Sequence, residues 1–355
     1  MTHHSETNRE TGRISRRTFL ARGSAGLAGA GLALGGSAGA QDAPKCSVVR
    51  VTHPGATDDN GVGQLGTVRQ MVDRAVCTLS DTDDLAAAWG KFVSPDDVVG
   101  IKVNVRAGAQ LSVQPCVVDA VVVGLEAAGV KKNNIIVWDA WSHELPRAGY
   151  PLNDSTEGVR CYGTDKGQYK EEDRRAEREA RKKLAACFQE KTYPVGDQTV
   201  QFSKILAEEV TALINIPMVK DHRIAGVTCS MKNHYGSIRN PSDLHENCCD
   251  PYLAELNAAA PIRDKTRLIV VDGLRGLYNG GPYDKPQWRW QPNCVLAGTD
   301  PVAVDTLAMR ILDEKRQEVG MEPIGDKARH IATAAKLGLG TNDLEQAGLR
   351  EIDLG

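Results

Sequence analysis

From residue 47 onward, short β-branched and apolar runs alternate with segments of helical periodicity, the pattern of an α/β sheet whose strands run largely parallel. Val98-Val99-Gly100-Ile101-Lys102-Val103-Asn104-Val105 reads as a buried strand. Over Pro115 to Ala128, Val118, Val121, Val122 and Leu125 recur at helical spacing, and Gly129 supplies the stop. Asn134 to Asp139 is the next strand and completes a βαβ unit. Further strands are predicted over Thr211 to Val219, Leu268 to Asp272 and Val295 to Gly298. Pro301 to Leu312 reads as a helix with proline at its first position and Asp300 or Thr299 as its cap. The expected fold is a three-layer α/β sandwich, a mostly parallel β-sheet flanked by helices.

Composition narrows the function classes. The 355 residues are 41% hydrophobic and 25% charged, enough apolar material for a globular core. Residues 1–40 hold five basic and two acidic residues, which leaves 38 basic against 44 acidic in the rest. A nucleic-acid binder shows a basic surplus, and this chain shows none, so no nucleic-acid partner is expected. Apart from one stretch near the N-terminus, no apolar run approaches the roughly 20 residues needed to cross a bilayer.

That N-terminal stretch carries an address. Ser15-Arg16-Arg17-Thr18-Phe19-Leu20 precedes the Gly/Ala-rich run Ala25 to Leu34, and Ala38-Gly39-Ala40 follows as a small-residue cleavage site. The segment resembles a bacterial twin-arginine signal peptide, with Ala21 where a lysine is common. The resemblance implies the twin-arginine export machinery as a partner, a periplasmic location and cleavage after Ala40. The residue directly after the cleavage site is Gln41 and not a cysteine, so no membrane anchor is expected after cleavage. Residues 41–355 then form a single domain, interrupted by a charged excursion at about 165–183 whose mixed signs at i,i+4 spacing read as a solvated helix.

All nine cysteines lie in residues 41–355, an odd number that cannot pair fully within one chain. None shows the spacing of a four-cysteine iron-sulfur site. Cys46, Cys77, Cys116 and Cys294 sit in apolar patterns as small buried hydrophobes, and only Cys229, Cys248 and Cys249 lie among other reactive groups.

Candidate chemistry collects where strands end, because ligands of parallel sheets gather outside the carboxyl ends. Lys102 and Asn104 are two apart in a strand and share a face. A buried lysine needs a partner, so Lys102 either binds an anion or pairs with Asp139 or Asp272. The densest polar run is Lys220-Asp221-His222, then Thr228 to Gly236 with Lys232, Asn233 and His234, then His245 to Cys249. Lys220, His222, Lys232 and His234 are the catalytic candidates. Lys102, Asn104, Asn233, Asp272 and Asp305 are the candidates for binding substrate or cofactor. Imidazole and thiolate together permit a metal ion without identifying it, with His222, His234, His245 and Cys248 as candidate ligands. Asn279-Gly280-Gly281-Pro282 is a turn whose glycines would let backbone approach a ligand, and Trp288-Arg289-Trp290 is either a lid or a packing element.

Val99-Gly100-Ile101-Lys102-Val103-Asn104, Asn215 to His222, Ser230 to Gly236, Asp272-Gly273 with Gly280-Gly281-Pro282, and Thr299 to Asp305 together resemble the domain-of-unknown-function family numbered 362, DUF362. The resemblance covers roughly residues 95 to 312 and is most specific at Lys-x-His followed by Lys-Asn-x-x-Gly. It implies the α/β fold and the place of the site. Some relatives carry a ferredoxin-like cluster domain, for which this chain has no matching cysteine pattern. Three functions remain open: a cofactor- or metal-dependent enzyme acting on a small anionic substrate, a periplasmic binding protein for an anionic or metal-containing ligand, and a thiol-dependent redox protein.

Overall fold

The computed structural model describes residues 45–168 and 184–355; the segment expected to direct export and the charged run 169–183 lie outside the described residues. Strands β1 (Val48–Thr52), β2 (Val99–Lys102), β3 (Ile135–Trp138) and β4 (Arg160–Cys161) come first along the chain. A separate hairpin follows, β5 (Tyr193–Val195) with β6 (Gln198–Val200). Next come β7 (Ala212–Asn215), β8 (Met218–His222), β9 (Gly226–Thr228), β10 (Thr266–Leu277), β11 (Arg289–Trp290), β12 (Cys294–Gly298) and β13 (Arg350–Asp353).

Eleven of these strands share one sheet, ordered β13-β1-β12-β10-β7-β2-β3-β4, with β11 and β8 added on β10 and β9 on β8. From β10 through β7, β2 and β3 to β4, every neighbouring pair is parallel. The strand expected at residues 295–298 is β12, which runs antiparallel to both β1 and β10. Helices cover both faces. Val99 and Ile101 of β2, Ile214 of β7 and Val270 of β10 join the core formed with helices Leu65–Ser80 and Pro115–Ala127. Trp138 of β3 and Leu213 of β7 face the other way, as do Ile269 and Val271 of β10, toward helices Tyr252–Ala258 and Pro301–Glu318. A strand buried on both faces reads as an unbroken apolar run, so its sequence cannot show which residues face which layer.

Two differences from the expected elements have local causes. The run Thr211 to Val219 is broken at Pro217, which lacks the N–H a strand interior needs, and separates into β7 and β8. Asp165 is buried and accepts hydrogen bonds from Ser142 N and Oγ at 2.7 Å each, so the first residue of the expected excursion belongs to the body of the protein. Asp300 caps Pro301–Glu318 as expected, accepting from Val302 N and Ala303 N at 2.8 and 2.9 Å. All nine cysteines are free. Among the described residues no helix is long and apolar enough to cross a membrane.

Candidate functional site

Lys102 ends β2 in register with Trp138, the last residue of β3, and with Asn215, the last of β7. It therefore sits at the carboxyl end of three adjacent parallel strands. Ile101 and Val103 point into the apolar core, and the alternation places Lys102 and Asn104 on the opposite face. Over that face lie β8, β9 and the helical turn Ser230–Asn233. They enclose a cavity of about 300 Å³ lined by Lys102, Asn104, Lys220, His222, Lys232 and Asn233 from the expected set. His245, Thr228 and Tyr235 line it too, as do Asp139, Arg106 and Glu144.

One asparagine wires these elements together. Asn233 Nδ2 donates to Lys102 O at 3.1 Å and to Asn215 Oδ1 at 2.7 Å, while its Oδ1 accepts from Lys102 Nζ at 3.3 Å and Asn104 Nδ2 at 3.2 Å. The turn that carries it is held from behind by Asp305, which accepts from Ser230 N at 2.6 Å and Met231 N at 3.2 Å. A carboxylate at these amides answers the unpaired N–H groups of a helix start. Gly236 closes the same turn, because a Cβ there would lie 2.6 Å from Asp139 Oδ1 and 2.8 Å from Lys102 Nζ.

The three buried lysines are exposed by 0% (Lys102), 2% (Lys220) and 6% (Lys232), and they are partnered very differently. Lys102 Nζ meets Asp139 Oδ1 and Val103 O, both at 2.7 Å, the structural pairing with Asp139 that its position allowed. Burial pushes its ammonium below the ordinary range, and Asp139 opposes that push. Lys220 Nζ meets only a neutral acceptor, Asn104 Oδ1 at 3.1 Å. Lys232 Nζ lies 3.7 Å from the centre of the Tyr235 ring, 3.3 Å from His245 Nε2 and 3.8 Å from Cys249 Sγ. Among the described residues neither Lys220 nor Lys232 has a carboxylate at ion-pair distance. Burial takes Lys220 down to about 8; Asp139 opposes the shift, and the charges of Lys232 and Lys102 add to it. Lys232 also falls to about 8, chiefly through burial.

The histidines are held neutral. His222 Nδ1 accepts from Ile224 N at 3.2 Å and Ala225 N at 3.1 Å, so its ring proton is on Nε2. His245 Nδ1 lies 2.9 Å from Pro241 O, which can only accept, so Nε2 is left to accept from Lys232. Burial first, and the charge of Lys232 second, take His222 to about 2 and His245 to about 4.

Four expected site residues lie elsewhere. His234 is buried with Nδ1 3.3 Å from Ser237 Oγ and does not line the cavity. The segment is a helical turn, in which residues two apart point to nearly opposite sides, so Lys232 and His234 diverge. Asp272 faces the other layer, its carboxylate accepting from Gln114 N at 2.7 Å and Leu274 N at 2.9 Å. Asp305 acts on the turn and does not reach the cavity. Cys248 sits beside Arg329, whose Nη2 is 3.2 Å from its sulfur. The expected metal ligands therefore do not converge: His222 and His245 approach with ring centres 5.9 Å apart, while His234 and Cys248 point away. Among the described residues no three histidine, cysteine or carboxylate groups are placed to hold a metal ion. The cysteines diverge too, with Cys229 buried in an apolar cluster and Cys249 behind Lys232. Trp288 and Trp290 pack edge-on against Tyr278 and Arg289 pairs with Asp284, so that segment is a packing element.

The sequence pattern does not single out Arg106, Trp141, Glu144 or Tyr283 as cavity residues, whereas Thr228 opens the polar run 228–236. Arg106 and Glu144 pair at 2.7 Å. Tyr283 was foreshadowed by the Gly280-Gly281 turn. Gly281 packs so closely on β8 that a Cβ would fall 1.8 Å from Asp221 O, and its amide donates to Asp221 Oδ2 at 3.0 Å. That latch brings Pro282 and the 51%-exposed Tyr283 to the cavity wall. The family model described as Domain of unknown function (DUF362) matches residues 99–310, a span that contains every residue lining the cavity. Among curated proteins no match to the chain is found.

Proposed function

The chain belongs to the DUF362 family, and from that premise we propose that it is an exported enzyme whose cavity holds a small anionic substrate between Lys220 and Lys232. The observation that carries this reading is the pair of buried lysines without a carboxylate partner, both lining an accessible cavity. Around them the Lys102–Asp139 and Arg106–Glu144 pairs are closed, so the surplus positive charge belongs to Lys220 and Lys232. Buried charges are tolerated when paired, and an anion from solution supplies the missing partner. The same surplus repels a metal cation, so the proposal takes no metal. Thr228 Oγ1, buried and without a hydrogen-bond partner among the described residues, adds a donor to the cavity, and so does His222 Nε2. An amine whose protonation midpoint lies near 8 exchanges its proton close to neutral pH, which suits Lys220 to act on the bound substrate as well as to hold it.

Calorimetric titration with inorganic phosphate and with malonate at low ionic strength tests the reading. Binding is expected in the wild type, and Lys220→Met or Lys232→Met is expected to weaken it about 10- to 100-fold, the loss of one charge-assisted hydrogen bond. A wild type that takes up neither anion would sink the proposal. Export is part of the same reading and rests on residues 15–40. With Arg16 and Arg17 both changed to Lys, unprocessed protein is expected in the cytosol, and normal periplasmic accumulation would remove export from it.

A further inference from the structure

We propose that Lys220 captures a small 2-oxo acid covalently, its ε-amine condensing with the substrate carbonyl to an imine while the carboxylate rests on Lys232. This deepens the anion-binding reading and rests on it. The contrast with Lys102 carries the argument. Lys102 Nζ has three acceptors around it, Val103 O, Asp139 Oδ1 and Asn233 Oδ1, and so is satisfied as an ammonium ion. Lys220 Nζ has one, the neutral Asn104 Oδ1. As an ammonium ion it would leave two N–H donors and a charge unanswered inside the protein. As a neutral amine it keeps the bond to Asn104 and presents a lone pair. A desolvated lysine beside other cations is a recognised route to an amine nucleophile, and Lys102 and Lys232 are those cations here.

The surroundings supply the rest of a condensation site. Thr228 is the cross-strand partner of Lys220, so their side chains leave β8 and β9 on the same face. Its hydroxyl, without a hydrogen-bond partner among the described residues, shares the cavity with the amine and can donate to the oxygen of the reacting carbonyl. His222, two residues along the same strand, also lines the cavity, and with Nδ1 occupied by backbone amides its Nε2–H is the ring atom left to donate a hydrogen bond to the substrate. Trp141, Pro241 and Pro282 provide apolar wall for a carbon chain, and about 300 Å³ has room for a small acid.

The step balances without an oxidant or reductant. The amine lone pair adds to the carbonyl carbon and one amine proton passes to the carbonyl oxygen, giving a carbinolamine. Its hydroxyl leaves with the remaining amine proton as water and the C=N bond forms.

Wild-type protein incubated separately with pyruvate, glyoxylate and 2-oxoglutarate, then reduced with sodium borohydride, gives the test by intact mass and peptide mapping. One adduct is expected with at least one of these acids, on the peptide that contains Lys220, suppressed by excess phosphate and lost completely in Lys220→Arg. Because mapping locates the adduct in the wild type, the answer does not depend on the variant folding. No adduct with any of the three, or an adduct on another lysine, overturns the proposal. Phosphate titration run in parallel separates the two readings: phosphate binding without an adduct removes the imine alone, and neither phosphate binding nor an adduct removes the anion site as well.

Discussion

Two sides of one cavity treat the same residue type in opposite ways. On the sheet side Lys102 is held by Asp139, and Asp139 is itself held by Val105 N at 2.9 Å and Ala140 N at 2.7 Å. On the facing side Lys220 and Lys232 are as deeply buried and meet an amide oxygen, an imidazole, a thiol and an aromatic ring. The first arrangement is complete within the chain and reads as architecture. The second offers, among the described residues, no carboxylate to either lysine, and a protein that keeps two such lysines gives up stability in its fold. The teaching is that burial of a charge does not by itself mark a function; the absence of its counter-charge does.

The largest expected effect lies on the architectural side. Lys102→Met strands the Asp139 carboxylate inside the protein and is expected to lower unfolding free energy by about 3–5 kcal/mol. Adding Asp139→Asn should return most of the loss, and chemical denaturation of both variants measures it. A mild effect of Lys102→Met alone would erase the distinction between the two sides.

On the other side the sign reverses. Lys220→Met removes a buried charge with no partner and is expected to raise the stability of the ligand-free protein at pH 7, on the order of 1–3 kcal/mol. A destabilisation as large as that of Lys102→Met would show that Lys220 is architectural too.

The contrast sharpens with pH. Lys220 and Lys232 titrate at about 8 in the folded protein and at 10.5 when unperturbed. Between those values the unfolded chain binds protons that the folded one does not, so stability of the ligand-free protein rises with pH from about 8 to 10.5. Affinity for phosphate should fall over the same range as the lysines lose charge. Denaturation and titration at pH 7, 8 and 9 check both slopes; a phosphate affinity unchanged from pH 7 to 9 would contradict the assignment.

The smallest effect belongs to Thr228. Its hydroxyl has no hydrogen-bond partner among the described residues, so Thr228→Val should shift stability by less than about 1 kcal/mol. Anion affinity should drop several-fold nonetheless. Equal affinity in variant and wild type would take the hydroxyl out of the site.

Sequence alone determined what depends on neighbours along the chain. The apolar runs announced the strands, the spacing in residues 115–128 announced the helix, and Asp300 before Pro301 announced a cap. Strand alternation put Lys102 and Asn104 on one face, and strand ends pointed to the edge of the sheet where Lys102, Trp138 and Asn215 lie in register. Only the tertiary structure decided which groups meet. Asp139 and Asp272 follow equally apolar strands, and nothing local tells that one faces the cavity and the other the opposite layer. Lys232 and His234 parted because their segment is a helical turn, too short to show a period in the sequence. Lys220 meets Asn104 across 116 positions of chain and Asp305 reaches Ser230 across 75. Such pairings are set by how the sheet and its covering helices stack, because a residue's facing within an element is fixed by local backbone geometry while its partner is fixed by the packing of elements far apart in sequence.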